Sequence, residues 1–350
     1  MADRIDTLSA NTTQTSKVQR INITRHLIPT RISTIVVYTA LFVVLWGLNL
    51  MADDSGDFTS PIPALFLNTY TLWSLPALVA STIGAVVSIA ILVAIWLAAQ
   101  RRGLVQSRTG MLLIVGFTLT AAIDYLHYFN HSYIAIIPLF VAIDQMMNMY
   151  DFKQQTKAAF NIAILISTAS LFEPIFIWFI LLFIAGMAVY RVISWRTLMG
   201  LFTGLATMAY LLISICWLTD NIDTLTVYSQ QTIDFALIDP TQWRWSDIGF
   251  AAAMIVLWLI TIVNYITHRG SYSLNLRINF VFVCWCFICT LALTTIAQNH
   301  TTPLIMVLTM LLTLNINLYF TTNRKTSANI IFILFTLATI AYRILWLLGY

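Results

Sequence analysis

From about residue 33 onward the chain repeats one unit, an apolar stretch of about 16 to 23 residues followed by a short polar break, almost without interruption. About twenty apolar residues wound as a helix match the hydrocarbon thickness of a bilayer, where only structures that satisfy their backbone groups internally survive. The pattern predicts an all-α fold, a polytopic transmembrane helical bundle. Charged residues are 9% of the sequence, against roughly 25% in a soluble domain, so no second, water-soluble domain fits. The formal charge of +4 is spread singly or in pairs between apolar stretches, which argues for topology and against nucleic acid as a partner.

Eleven membrane segments are expected, at about 33–51, 77–99, 109–126, 132–150, 157–172, 174–190, 197–219, 248–267, 278–297, 302–321 and 329–349. They make one transmembrane domain, 33–350, after a polar basic tail, 1–32, whose Arg20, Arg25 and Arg31 suit a membrane surface. The tail lacks the apolar core of a cleavable signal peptide, so the first helix is expected to be retained. The segments 157–172 and 174–190 are short for a crossing, and Glu173-Pro174 between them favours a break; they form either two crossings or a re-entrant hairpin.

Placing alternate loops on opposite sides puts sixteen of the eighteen Lys and Arg residues on one side. Arg244 falls on the other, and Arg343 lies inside the last segment. The acidic residues Asp53, Asp54, Asp57, Glu173, Asp220, Asp223, Asp234, Asp239 and Asp247 gather opposite the basic ones. By the positive-inside rule the N-terminus is cytoplasmic and the C-terminus outside. One missed helix would scramble every later loop, so the partition also supports the segment count.

Two outer loops are large enough for structure, about 52–76 and 220–247. The first opens on the acidic run Asp53, Asp54 and Asp57 and continues into an apolar surface helix over 62–75. The second carries five Asp with Tyr228, Trp243 and Trp245, which suit either a membrane-interface belt or a sugar-stacking surface.

A charge within hydrocarbon costs about 2.5 to 3.5 kcal/mol, so each intramembrane charge asks for a reason. Asp144, Asp124 and Arg343 qualify. Arg343 lies at a depth to pair with Asp124 or Glu173, either as a lock between helices or as part of a substrate site. Asp124, His127 and His131 would share one helix face if the helix ran through Tyr128-Phe129-Asn130. The glutamate of a zinc-protease helix is absent from that stretch, and no metal site is assigned. Cys216, Cys284, Cys286 and Cys289 lie in apolar stretches and read as packing residues. Asp53 or Asp54 could serve as a general base toward an acceptor hydroxyl, or simply form a solvated loop.

The middle of the chain, about 100–219, resembles an uncharacterised polytopic inner-membrane family of Bacteroidetes, a domain of unknown function. The resemblance rests on Ala169-Ser170-Leu171-Phe172-Glu173-Pro174, then a long apolar helix, then Ser194-Trp195-Arg196 opening a Gly-containing helix. Glu173 stands where that family carries an aromatic residue. The resemblance implies the bacterial inner (cytoplasmic) membrane and no particular activity.

The arrangement of loops is also similar, more distantly, to the GT-C glycosyltransferases, which use polyprenyl-phosphate-linked sugars at the outer membrane face. That similarity implies a catalytic carboxylate at Asp53 or Asp54, a surface helix at 62–75, and phosphate contact by Arg343 or Arg244. Asp124, His127, Glu173 and Arg343 are the expected substrate-binding residues. The expected function is handling of a lipid-linked glycan at the outer face. The alternatives are a transporter or flippase, with Asp144, Asp124 and Arg343 lining a path, or a non-enzymatic subunit of an envelope complex.

Overall fold

The computed structural model describes residues 32–51, 77–105, 110–123, 126–149, 154–220, 222–233, 235–237, 243–322 and 326–347. Each of the eleven expected segments contains a helix among its described residues. The helices are α1 (Ile32–Met51), α2 (Ala77–Arg101), α3 (Met111–Ala122), α4 (His131–Met147), α5 (Gln155–Phe172), α6 (Phe179–Val189), α7 (Trp195–Leu218), α8 (Ile222–Ile233), α9 (Trp245–His268), α10 (Leu274–Ile296), α11 (Thr301–Thr322) and α12 (Thr326–Leu347). Among the described residues there is no strand, only one isolated bridge between Ala236 and Ala297. Among the described residues six helical segments are long and apolar enough to cross a membrane: Leu78–Arg101, Trp195–Leu218, Trp245–Ser271, Leu274–Ile296, Gln298–Thr322 and Ser327–Trp346. Val36–Gly47, Met111–Ala122, His131–Met147 and Pro174–Val189 are apolar but shorter. The architecture is that of a multi-pass membrane protein.

Side-chain bonds sort the helix termini into two ends. At one, which we term the basic end, Asn279 Nδ2 donates to the Arg102 carbonyl (3.1 Å) and Tyr190 Oη to Asn279 Oδ1 (2.7 Å), tying α10 to the ends of α2 and α6. At the other, the acidic end, Tyr228 Oη donates to the Ser170 carbonyl (2.8 Å) and Trp178 Nε1 to the Thr232 carbonyl (2.9 Å). The two short expected segments form two helices joined by a break at Glu173-Pro174. α5 has 18 residues, about 27 Å of helix. The return begins as a 3₁₀ turn, Pro174–Trp178, because Pro174 supplies no backbone donor and Glu173 is extended, and continues as α6.

Helix α8 lies inside the expected loop 220–247 and is held at the acidic end. Tyr228 and Trp178 fasten it, and Gln298 N donates to the Ala236 carbonyl at 3.0 Å just beyond it. The third expected segment is shorter than its apolar stretch. α3 stops at Ala122, and Ile123 is extended.

Close packing follows small residues. On α7, Gly200 and Gly204 are one turn apart, and a Cβ at either would come within 2.6 Å of a carbonyl oxygen of α5, that of Thr156 or Phe160. Lipid tails compete equally for apolar side chains, so such backbone approach is what holds two membrane helices together. Ser194 caps the same helix, its Oγ accepting from Thr197 N while Thr197 Oγ1 accepts from Ser194 N.

Helix α11 is the centre of the bundle: 89% of its most apolar window is buried, against 17% in α7. It carries Thr309, Thr313, Asn315, Asn317 and Thr321, all buried. Thr309, Thr313 and Thr321 return their hydroxyls to carbonyls one turn back, and Asn315 Nδ2 does the same to Leu311. Asn315 Oδ1 also accepts from Cys284 Sγ at 3.1 Å. A helix without a lipid face can carry this many polar groups because it satisfies most of them along its own backbone.

Candidate functional site at the acidic end

Three polar constellations stand out, two at the acidic end and one at the basic end. The first is built where the chain turns between α3 and α4. His127 is fully buried with its ring 4.3 Å from that of Trp46, whose Nε1 donates to Ser81 Oγ at 2.9 Å. Gly84 on α2 admits this turn: a Cβ there would meet the His127 carbonyl oxygen at 3.0 Å. Four residues on, α4 begins with His131 and Ser132. His131 Nε2 stands 3.0 Å from Glu173 Oε1, and Ser132 Oγ donates to the same oxygen. Glu173 is 2% exposed, so a buried carboxylate joins the start of α4 to the break between α5 and the 3₁₀ turn.

The helix through Tyr128-Phe129-Asn130 that would align His127 with His131 is not formed, because residues 127–130 are not helical and α4 begins only at His131. An extended Ile123 and the buried turn that follows take the place of a continuous helix. Among the described residues no three His, Cys, Asp or Glu side chains converge as metal ligands.

The second constellation surrounds a cavity of about 190 Å³ between α3, α9, α10, α11 and α12. Its walls are apolar, including Phe250, Met254, Phe287 and Leu308, and it reaches from Thr301 at the acidic end to Leu312 in mid-helix. Trp243, Asp247 and Tyr342 form its polar mouth. Tyr342 Oη donates to Asp247 Oδ1 at 2.8 Å, and the Tyr342 ring stacks on Phe250 at 4.2 Å, which fastens α12 to α9. The neighbouring residues on those two elements meet as well. The guanidinium carbons of Arg244 and Arg343 lie 5.3 and 4.9 Å from the centre of the Trp346 ring, and Arg244 Nη1 donates to the Trp346 carbonyl at 3.3 Å. Arg343 is fully buried, whereas Arg244 is exposed.

The third lies at the basic end. Arg102 holds Asp144 in a bidentate pair, Nε to Oδ1 and Nη2 to Oδ2 both at 2.6 Å. Hydrogen bonding to that carboxylate raises the Arg102 pKa above its ordinary value, against the smaller opposing effect of partial burial. The cavity beside Asp144 holds only about 10 Å³, roughly one water. Asp144 thus sits at a helix lock.

Of the expected site residues, Asp53, Asp54 and Asp124 lie outside the described residues, as does the expected surface helix 62–75. His127 and Glu173 fall in the first constellation and Arg343 beside the second. Tyr342, Trp346 and Phe250 had not been singled out. A usable signal existed: Arg343 and Trp346 are three residues apart on one helix, which places cation and aromatic on one face. No protein-family model, curated protein or solved structure matches the chain.

Proposed function

We propose that this protein handles a lipid-linked substrate at the outer face of the bacterial cytoplasmic membrane, taking part of the lipid chain into the cavity at its acidic end. The cavity itself carries the reading. Its walls are largely apolar, since Thr294 and Thr309 return their hydroxyls to their own helices; most of the helices around it are long enough to be embedded in lipid, and its carboxylate, Asp247, stands with Trp243 and Tyr342 at the mouth. An apolar cavity of about 150 Å³ accepts a benzene-sized guest, so 190 Å³ suits a short length of acyl or isoprenoid chain but not a whole ligand. A headgroup must then stay at the mouth, among Trp243, Asp247 and Tyr342. The loop charges support placing this end outside, since the basic residues cluster at the opposite end.

Binding of a radiolabelled polyprenyl phosphate to purified protein in nanodiscs tests the reading. Ala251→Phe, which fills the cavity, is expected to reduce saturable binding at least about tenfold, the cost of losing one or two buried methylene contacts. Ala252→Phe, on the exposed face of the same helix, should leave it unchanged. Equal binding by both variants would remove the cavity from the function. Glycosyl transfer is the form of this proposal that the GT-C resemblance suggests, with Asp53 or Asp54 as base. Replacing each with Asn should then alter surface glycan, and unaltered glycan in both variants would sink that assignment.

A further inference from the structure

We propose that Asp247 reads a hydroxyl on the head of the amphiphile whose chain enters the cavity; the inference rests on the lipid-binding reading above and adds a requirement on the head, whatever else that head carries. Asp247 is the one carboxylate among the described residues that line the cavity, and none of them is Lys, Arg or His. Its Oδ1 accepts from Tyr342 Oη at 2.8 Å, while Oδ2 has no hydrogen-bond or ion-pair partner among the described residues. Arg244, three residues earlier, donates to the Trp346 carbonyl instead. A carboxylate offers about four acceptor sites and no proton. Asp247 is half-buried at the mouth, so a head seated there displaces solvent from those sites and has to restore the donated bonds itself.

The rest of the site narrows the donor. Tyr342 commits its proton to Asp247, and Thr294 and Thr309 commit theirs to the Leu291 and Ile305 carbonyls at 2.6 and 2.7 Å. Trp243, at the same mouth, carries an indole N–H, which donates and cannot accept. A hydroxyl is the smallest group that donates to a carboxylate and accepts from an indole N–H. An ammonium also donates, but it accepts nothing. The charge of Asp247 is moreover compensated already, because the residue lies in the first turn of α9, where unpaired amides set the positive pole of the helix. What the carboxylate calls for is a hydrogen-bond donor rather than a countercharge.

The test measures saturable binding of tritiated probes to full-length protein in nanodiscs, with empty nanodiscs as the partition blank. The probes are decanol and decyl methyl ether, decyl glucoside and its permethylated form, and decylamine. The hydroxyl form should bind about tenfold tighter than its methylated counterpart, the return on one hydrogen bond to a charged group. The pair that shows this preference tells a chain-terminal alcohol from a sugar hydroxyl. Asp247→Asn keeps an acceptor for Tyr342 but sets an amide N–H₂ in place of the second oxygen, and it should remove the preference while the methylated probes bind as before. Tyr342→Phe keeps the ring on Phe250, frees Oδ1 and should widen the preference, which a purely structural Asp247 would not do. Equal binding within both pairs overturns the inference, as does a preference that survives Asp247→Asn. Decylamine that binds tighter than decanol overturns it too, because the site would then read charge. Failure of every probe to bind the unmodified protein defeats the lipid-binding reading instead, so the two failures are distinguishable.

Discussion

The two ends of the bundle both use ionisable side chains to fasten helices, but under opposite conditions. At the basic end, Arg102 and Asp144 are 21% and 28% exposed and meet in a fully matched bidentate pair. At the acidic end, His131 and Glu173 are 3% and 2% exposed, and the carboxylate accepts a hydrogen bond from Ser132. Partial solvation makes the first pair cheap to form and cheap to lose. Burial makes the second costly to form and far more costly to break, since the surviving partner is stranded without water. The difference teaches that the acidic end is the more rigidly specified, and it is there that the cavity opens.

The comparison breaks most completely if the ends face the wrong way. In a variant with the four native cysteines replaced by alanine, a cysteine at Leu237 should label fully with an impermeant maleimide added to intact cells, and one at Gly270 should not. Both positions are exposed. The reverse pattern would place the cavity mouth in the cytoplasm.

Removing Glu173 is the next largest effect. Glu173→Ala should destabilise the protein by about 3–5 kcal/mol, read as unfolding in detergent, because Ser132 loses a buried acceptor and the buried His131 ring loses the carboxylate beside it. Gly204→Ala should cost about 1–3 kcal/mol by pushing α7 off the Phe160 carbonyl. Asp144→Ala should cost about 1 kcal/mol or less, and less still at high salt. If Asp144→Ala proved as damaging as Glu173→Ala, burial would not be what separates the two ends.

The helices were legible in the sequence because a bilayer demands long apolar runs, and each of the eleven expected segments contains a helix among its described residues. Their limits were less so. Hydropathy continues past Ala122 although the helix does not, since the turn that follows is buried against Trp46 and Gly84 and needs no polar composition to mark it. Helix α8 was hidden for the opposite reason, its Asp, Ser, Thr and Gln content reading as loop. The site was legible in part. Scarcity of charge drew attention to Arg343 and Glu173, but the partners that give them meaning, Trp346 and the pair His131 and Ser132, are ordinary residues for a membrane helix. Nor does a cavity leave any trace in one chain's composition, because Phe250, Met254 and Leu308 would look the same in a filled core.

The most direct measurement is to crosslink a diazirine-tailed decyl phosphate to the protein in nanodiscs and map the adducts by peptide mass spectrometry. Lipid binding in the cavity requires adducts on α9 between Phe250 and Ile255 and on α11 between Thr301 and Leu312, competed away by unlabelled decyl phosphate. Adducts confined to the exposed face of α7, around Phe202, Tyr210 and Trp217, and insensitive to competitor, would contradict it.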